Sequence, residues 1–250
     1  MLNFRRLGSG SPLVLQHGFL GGSGYWEPQF AAFGRHFDVV APDLPGFAGS
    51  GHIDSPDSLA GFAAALTGLL DDLHIERTML LGHSMGSMIS LQIALDHPER
   101  IERLVLYGSA PTGNLPGRFE PFEDSIARIE SEGIEATADR IVPTWFMQGN
   151  AAPFAAMCRD AGRGATRQAA ARALRAVVNW DVSRRLGELE VPVLVICGDQ
   201  DWSTSPDQSY RLWQAIPNAE LCIVPGCAHN VHLERPDWFS SLVLDFLTRT

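Results

Sequence analysis

Thr78-Met79-Leu80-Leu81-Gly82-His83-Ser84-Met85-Gly86, continued by Met88-Ile89 and Ile93-Ala94-Leu95, runs from a short apolar segment straight into an apolar helical pattern. A strand that feeds a helix this abruptly turns within one or two residues. The central residue is then held in a strained conformation that projects its side chain, and the positions two before and two after must be small so that the backbones can pass. Gly82 and Gly86 fill those positions, which makes Ser84 a candidate nucleophile. The helix beginning behind it has unpaired N–H groups and a partial positive charge, so the Met85 amide is a candidate donor to an oxyanion. The bare pentapeptide also suits an ordinary glycine-rich loop; the flanking strand and helix raise its specificity.

Upstream, His17-Gly18-Phe19 ends the apolar run Pro12 to Gln16 and is followed by Leu20-Gly21-Gly22-Ser23-Gly24. These glycines can bend the backbone so that the Phe19 amide points toward Ser84 as a second donor. Further short apolar runs predict strands at Leu2 to Leu7, Asp38 to Ala41, Leu104 to Tyr107, Val191 to Cys197 and Leu221 to Val224, besides Pro12 to Gln16 and Thr78 to Leu81. Helical patterns lie between them, clearest near Ser55 to Leu73, Ser84 to His97, Pro206 to Ile216 and Pro236 to Thr248. This alternation predicts an α/β protein with a mostly parallel central sheet of about seven strands and helices on both faces.

The alternation stops between Tyr107 and Val191. There Ile126, Ile129, Ile141, Ala170, Leu174 and Val177 recur at helical spacing, broken by Pro143, Pro153 and glycines. The expected organisation is a core of residues 1–110 and 188–250 with a helical cap inserted at 111–187. For the Ala-rich helix around Leu174, simple coverage of a sheet edge is an equal alternative.

Composition narrows the chemistry. All 19 basic residues are arginine, so mechanisms that need a lysine, including Schiff bases, a Ser-Lys dyad and a Walker A loop, are excluded. A formal net charge of −10 opposes nucleic acid and anionic lipid as partners. The expectations are therefore no nucleic-acid partner and no membrane partner. No run reaches the length of a membrane span and no secretory pattern follows Met1, so a cytoplasmic location is expected. Cys158, Cys197, Cys222 and Cys227 in a chain of 250 residues read as small buried hydrophobes rather than as a disulfide framework.

His17-Gly18, Ala41-Pro42-Asp43-Leu44-Pro45-Gly46, Gly82-His83-Ser84-Met85-Gly86, Gly198-Asp199-Gln200-Asp201 and Gly226-Cys227-Ala228-His229 follow one another in an order and spacing that resembles the α/β-hydrolase family over essentially the whole chain. The resemblance implies a chain order of nucleophile, acid and histidine. It places the histidine at His229, ahead of His232 in the same loop, and the acid at Asp201, where the pattern G-x-x-D beginning at Gly198 ends. Asp199 then fixes the loop through backbone hydrogen bonds, and Asp207 sits early in the next helix. The remaining histidines read as structural (His17, His83) or solvated (His36, His52, His74, His97). A metal site at Cys227, His229, His232 and Glu234 is conceivable on ligand type but lacks a recognised spacing, so neither metal nor cofactor is expected.

The short oxyanion turn and modest cap resemble the esterase and enol-lactonase branches, and Val142-Pro143-Thr144-Trp145-Phe146 resembles the latter. A small-molecule ester or lactone is accordingly the expected partner, with Trp145 and Phe146 as pocket wall. Similar sites cleave carbon–carbon bonds of ring-fission products or form peracids, and the scaffold also serves small-molecule receptors. Ten of the arginines lie between Arg118 and Arg185, most of them expected on solvated helix faces; one could hold a substrate carboxylate.

Overall fold

Alternate residues of each central strand point to opposite faces of the sheet, and here both faces are apolar. Val14, Leu80, Leu104 and Val195 belong to one buried cluster, while Leu13, Leu81, Val105 and Ile196 belong to another. That division requires helices on both sides. The computed structural model describes residues 1–249 and shows this arrangement.

Seven strands form one sheet: β1 (Phe4–Gly8), β2 (Pro12–Gln16), β3 (Asp38–Pro42), β4 (Thr78–His83), β5 (Ile101–Tyr107), β6 (Val193–Gly198) and β7 (Ala219–Val224). Their order is β1-β3-β2-β4-β5-β6-β7. Only β1 runs antiparallel to its neighbour, with Arg6 opposite Val40 on β3. It is shorter at its start than the expected Leu2 to Leu7; the Asn3 amide turns away to Ser50 Oγ at 2.9 Å.

Helices α1 (Glu27–Phe33) and α10 (Pro236–Thr248) cover one face, contributing Phe30, Phe33, Phe239 and Phe246 to its cluster. On the other face lie α2 (Leu59–Asp72), α3 (Met85–Asp96) and α8 (Pro206–Ala215), which contribute Leu66, Ile89 and Leu212. Ser58 caps α2 by accepting a hydrogen bond from the Gly61 amide at 3.2 Å, so that helix starts later than the expected Ser55. Every residue of α3 from Met85 to Leu95 is buried, because the helix is covered on its outer side as well.

Between β5 and β6 the chain forms α4 (Phe122–Glu132), α5 (Ile134–Ile141), α6 (Ala155–Arg163) and α7 (Arg167–Val178). Among the described residues no named strand interrupts this segment; one isolated antiparallel bridge joins Thr112 to Asp181. Gly113 lies so tightly against α7 that a Cβ there would meet the Val177 carbonyl oxygen at 1.8 Å. The short α9 (Val231–Glu234) precedes α10.

From β2 the chain goes first to β3 on one side and then back to β4 on the other. The crevice at the carboxyl ends of β2 and β4 is therefore a topological switch point, the place where open α/β sheets bind ligands. His17-Gly18-Phe19 leaves the end of β2 there, and Ser84 the end of β4.

Candidate active site

Ser84 is the single residue between β4 and α3. Its φ of 55° and ψ of −124° confirm the strained turn expected from the sequence. The Ser84 amide donates to the Tyr107 carbonyl at 2.8 Å, anchoring the turn to β5. The two glycines are explained by close approaches. A Cβ on Gly82 would meet the Gly86 carbonyl oxygen at 2.5 Å, and one on Gly86 would meet the His17 carbonyl oxygen at 2.3 Å. Gly18 is under a similar constraint, because its Cβ would lie 2.8 Å from Ser84 Cβ. The turn carrying Phe19 is thus pressed against the serine. Met85 is the first residue of α3, where the N–H has no acceptor within the helix.

His229 and Asp201 come from the loops after β7 and β6. His229 Nδ1 lies 2.7 Å from Asp201 Oδ2, with 2% and 0% of the two side chains exposed. The carboxylate is held on both oxygens: Oδ1 accepts the amides of Ser203 and Thr204 at 2.8 and 3.0 Å, and Oδ2 accepts the Thr204 hydroxyl at 3.1 Å. With Nδ1 committed to Asp201, Nε2 is the ring nitrogen left to exchange a proton. Gly108, at φ 56°, lets the strand end pass beneath this pair; a Cβ there would meet His229 Cε1 at 3.0 Å. Asp199 accepts the Gly226 amide at 2.8 Å and so ties two loops together, and Asp207 sits in the first turn of α8.

The backbone of the histidine loop is pinned from beneath. The His229 carbonyl accepts the Tyr107 hydroxyl at 2.6 Å and faces His83 Nε2 at 3.2 Å. Tyr107 OH also meets His232 Nδ1 at 3.1 Å, which turns His232 away from the cleft. Burial pushes the His83 imidazole well below its usual range, helped by the neighbouring His229 and His232, and lowers His232 to about 3. Both are neutral in the folded protein. Burial likewise raises the Tyr107 phenol, keeping it a donor. His17 accepts the Leu44 amide at Nε2 (2.9 Å), so Nδ1 is protonated and donates to the Gly18 carbonyl at 2.8 Å. Burial lowers this histidine too, which preserves that tautomer. Glu234 bridges two segments, accepting Met147 N on Oε1 and Ala228 N on Oε2, each at 2.7 Å. Among the described residues no three His, Cys, Asp or Glu are grouped to hold a metal ion.

Ser84, Met85, His229 and Phe19 line one cleft, walled by Met88, Leu115, Phe119, Phe122, Ile141, Trp145, Leu174 and Val177, with Ser203, Thr204 and Arg118 as its further polar residues. Trp145 stands 6.2 Å, ring to ring, from His229. Phe146 does not join it: it lines a separate cavity with Met147, Phe154 and Glu234. The reason is local. Trp145 ends a 3₁₀ turn, and Phe146 at φ −130° and ψ 142° is extended, so the two successive side chains diverge. The sequence passed over Tyr107 and Gly108 and took Arg118 only as one of ten arginines, of which one could hold a substrate carboxylate. Gly108, directly after a strand and before Ser109-Ala110-Pro111, carried a faint signal as a turn glycine; Tyr107 carried none of its own.

The comparisons with known proteins agree with this architecture. The model of the alpha/beta hydrolase family matches residues 13–242. The chain belongs to that family. It is 30% identical over 244 residues to the protein named "Putative carbamate hydrolase RutD" of Agrobacterium fabrum, covering 94% of this chain and 92% of the relative. It is 31% identical over 263 residues to the 2-hydroxy-6-oxo-6-phenylhexa-2,4-dienoate hydrolase of Burkholderia cepacia, with 96% and 88% covered. Among solved structures, the enol-lactonase from Burkholderia xenovorans LB400 superposes with a TM-score of 0.90 at 30% identity, over 99% of this chain and 96% of that one.

Proposed function

We propose that this hydrolase cleaves carboxylic esters or lactones of small molecules through an acyl-enzyme, with Ser84 as nucleophile, His229 as base and Asp201 as the acid that orients it. The observation that carries the reading is the buried His229–Asp201 pair at 2.7 Å, whose histidine lines the same cleft as a serine held at φ 55°. A serine hydroxyl is a poor nucleophile near neutral pH, so His229 Nε2 takes its proton as Oγ attacks the carbonyl carbon. The tetrahedral oxyanion is stabilised by the amides of Met85 and Phe19. His229 then returns the proton to the leaving alcohol oxygen. A water molecule, deprotonated by the same imidazole, hydrolyses the acyl-Ser84 ester and frees the acid. Asp201 holds the imidazole in the tautomer that this cycle requires and stabilises its cation. No lysine, metal or cofactor is used in these steps.

In this reading residues 111–187 act as a cap, with Trp145 against the substrate. The likeness to an enol-lactonase supports a lactone among the substrates. The relatives named for carbamate and ring-fission dienoate hydrolysis supply the second reading, in which the same serine attacks a carbamate carbonyl and expels its alcohol or amine, or attacks a ketone and expels a carbon leaving group, the departing atom taking the proton held by His229. A panel of aryl esters, lactones, a carbamate and a ring-fission dienoate decides among them by kcat/KM. A fluorophosphonate is expected to label Ser84 alone, and Ser84→Ala to abolish turnover while the circular dichroism spectrum is unchanged. Labelling at another serine, or activity near wild type in Ser84→Ala, refutes the assignment.

A further inference from the structure

Most arginines of the segment from Arg118 to Arg185 are matched on the surface. Arg128 and Arg140 face Glu120, Arg159 and Arg163 face Asp139, Arg175 faces Glu130 and Arg185 faces Asp96. Arg118, like Arg167, Arg172 and Arg184, has no carboxylate within ion-pairing distance among the described residues, but of these four it is the one that lines the cleft with Ser84 and His229. Its Nη1 donates to the Glu120 carbonyl and, at 3.0 Å, to Ser125 Oγ; Nε and Nη2 find no protein acceptor. The Glu120 carboxylate, whose field does reach Arg118, has its Oε1 taken up by Arg140 and Ser125.

The guanidinium carbon stands 4.3 Å from the ring centroid of Phe119 and 4.3 Å from that of Phe122. Aromatic rings satisfy the faces of a guanidinium, whereas its N–H bonds radiate in the plane. The unused valence of Arg118 is therefore at its edge, and the side chain is the one ionisable group besides His229 lining a largely apolar cleft that also holds Ser84, Ser203 and Thr204. Burial pushes the guanidinium down to about 10, so it remains a cation near neutral pH. Arg118 is half-buried, and a planar anion offering two oxygens is the partner whose geometry fits its free Nε and Nη2.

We propose that Arg118 binds a carboxylate carried by the substrate, so that the preferred substrates are esters or lactones with a second, ionised carboxyl group away from the scissile carbonyl. This rests on the hydrolase reading above and sharpens its substrate class. The protein as a whole is anionic, at a formal −10, so Arg118 also supplies the local attraction such a substrate needs.

The test compares matched pairs: monophenyl glutarate against phenyl hexanoate, with the carboxylate on the acyl part, and 4-acetoxybenzoate against 4-methylphenyl acetate, with it on the leaving part. In wild type, the charged member of at least one pair is expected to have the higher kcat/KM by about tenfold or more, since a site built for a polar group rejects the analogue lacking it. Arg118→Gln should bring that ratio to one or below, and Arg118→Lys, which keeps charge but not the fork, should fall between. A merely structural role would depress both members of a pair and leave the ratio intact. Ratios near one in wild type for both pairs, or a ratio unaltered in Arg118→Gln, overturn the proposal. Calorimetric binding of monomethyl glutarate to Ser84→Ala, with and without Arg118→Gln, separates this from the reaction itself. If no ester is turned over yet this binding depends on Arg118, the ester reading fails and the anion site stands. Hydrolysis of neutral esters without Arg118-dependent binding sinks the anion site alone.

Discussion

The hydroxyl of Tyr107 and the ring of His83 converge on one acceptor, the carbonyl oxygen of His229, and so fix the loop whose side chain faces Asp201. The imidazole has few degrees of freedom left: its backbone is held from below and its Nδ1 from the side, in a space that a side chain at Gly108 would invade. Tyr107→Phe removes the donor at 2.6 Å while keeping the ring packed on His83 and Phe239. It is expected to lower stability by about 1 kcal/mol, the usual net worth of a hydrogen bond, and to lower kcat more than it raises KM. An unchanged kcat would mean that His229 needs no support from β5. Asp201→Asn removes the group that sets the tautomer and should reduce kcat by about 10⁴. Asp199→Asn, which loosens only the contact to the Gly226 amide, should act through stability. The reverse ranking, read from kcat and urea midpoints, would move the acid to Asp199. Ser84, Met85 and Phe19 were legible because each is fixed by its immediate neighbours. Tyr107 was not, because its meaning lies 122 residues away at His229, and no local pattern encodes that contact.

Two glycines inside helices illustrate what an element demands of its sequence. Gly86, in the first turn of α3, packs where a Cβ would meet the carbonyl oxygens of His17 and Gln16 at 2.3 and 2.5 Å. Backbone cannot swing aside as a side-chain tip can, so Gly86→Ala must push α3 away from β2. A loss of about 1–3 kcal/mol is expected, with kcat falling further because the Phe19 turn is displaced from Ser84. Gly68, at an exposed position of α2, has nothing within 4 Å of its would-be Cβ. Gly68→Ala should therefore stabilise the protein by about 0.5–1 kcal/mol and leave activity alone. Thermal melts of the two variants check the contrast; similar shifts in both would contradict the packing described for Gly86. The strands of the sheet were legible from their continuous apolar runs, since burial on both faces leaves no polar alternation to confuse. Their ends were less so: β6 begins at Val193, not Val191, because Pro192 has no N–H for a ladder. Phe146 was misplaced for a similar reason. Which of two adjacent aromatics faces the cleft is decided by one extended residue after a 3₁₀ turn, which periodicity does not register.

At the scale of the whole molecule, three histidines beside the cleft are buried and neutral, and this couples its architecture to acid. Burial lowers His17 and His83, and His232 to about 3. The unfolded chain takes up these protons near an ordinary imidazole value of about 6.5. Above that pH neither state binds them, and the histidines contribute no pH dependence. Below it the unfolded state binds protons that the folded state refuses, so unfolding becomes more favourable as pH falls. Each such histidine contributes a slope of about 1.4 kcal/mol per pH unit, continuing for His232 down toward about 3. Glu234 works the other way: burial raises its carboxyl, so the folded state gains its proton first as acid is added. Its stabilising contribution appears below its raised value, and one carboxyl cannot offset the imidazoles of His83 and His232 as pH falls below about 6.5, with His17 acting in the same direction. Against a domain stability of about 5–15 kcal/mol, the balance predicts a marked fall in the urea midpoint between pH 7.5 and 5, with net proton uptake on unfolding. His232→Asn, whose side chain does not titrate, should flatten that slope by about one proton even where it lowers the midpoint itself. A midpoint that is constant or higher at pH 5 would mean that these rings are charged in the folded protein, and the hydrogen bonds drawn here for His17 and His232 would have to be reassigned.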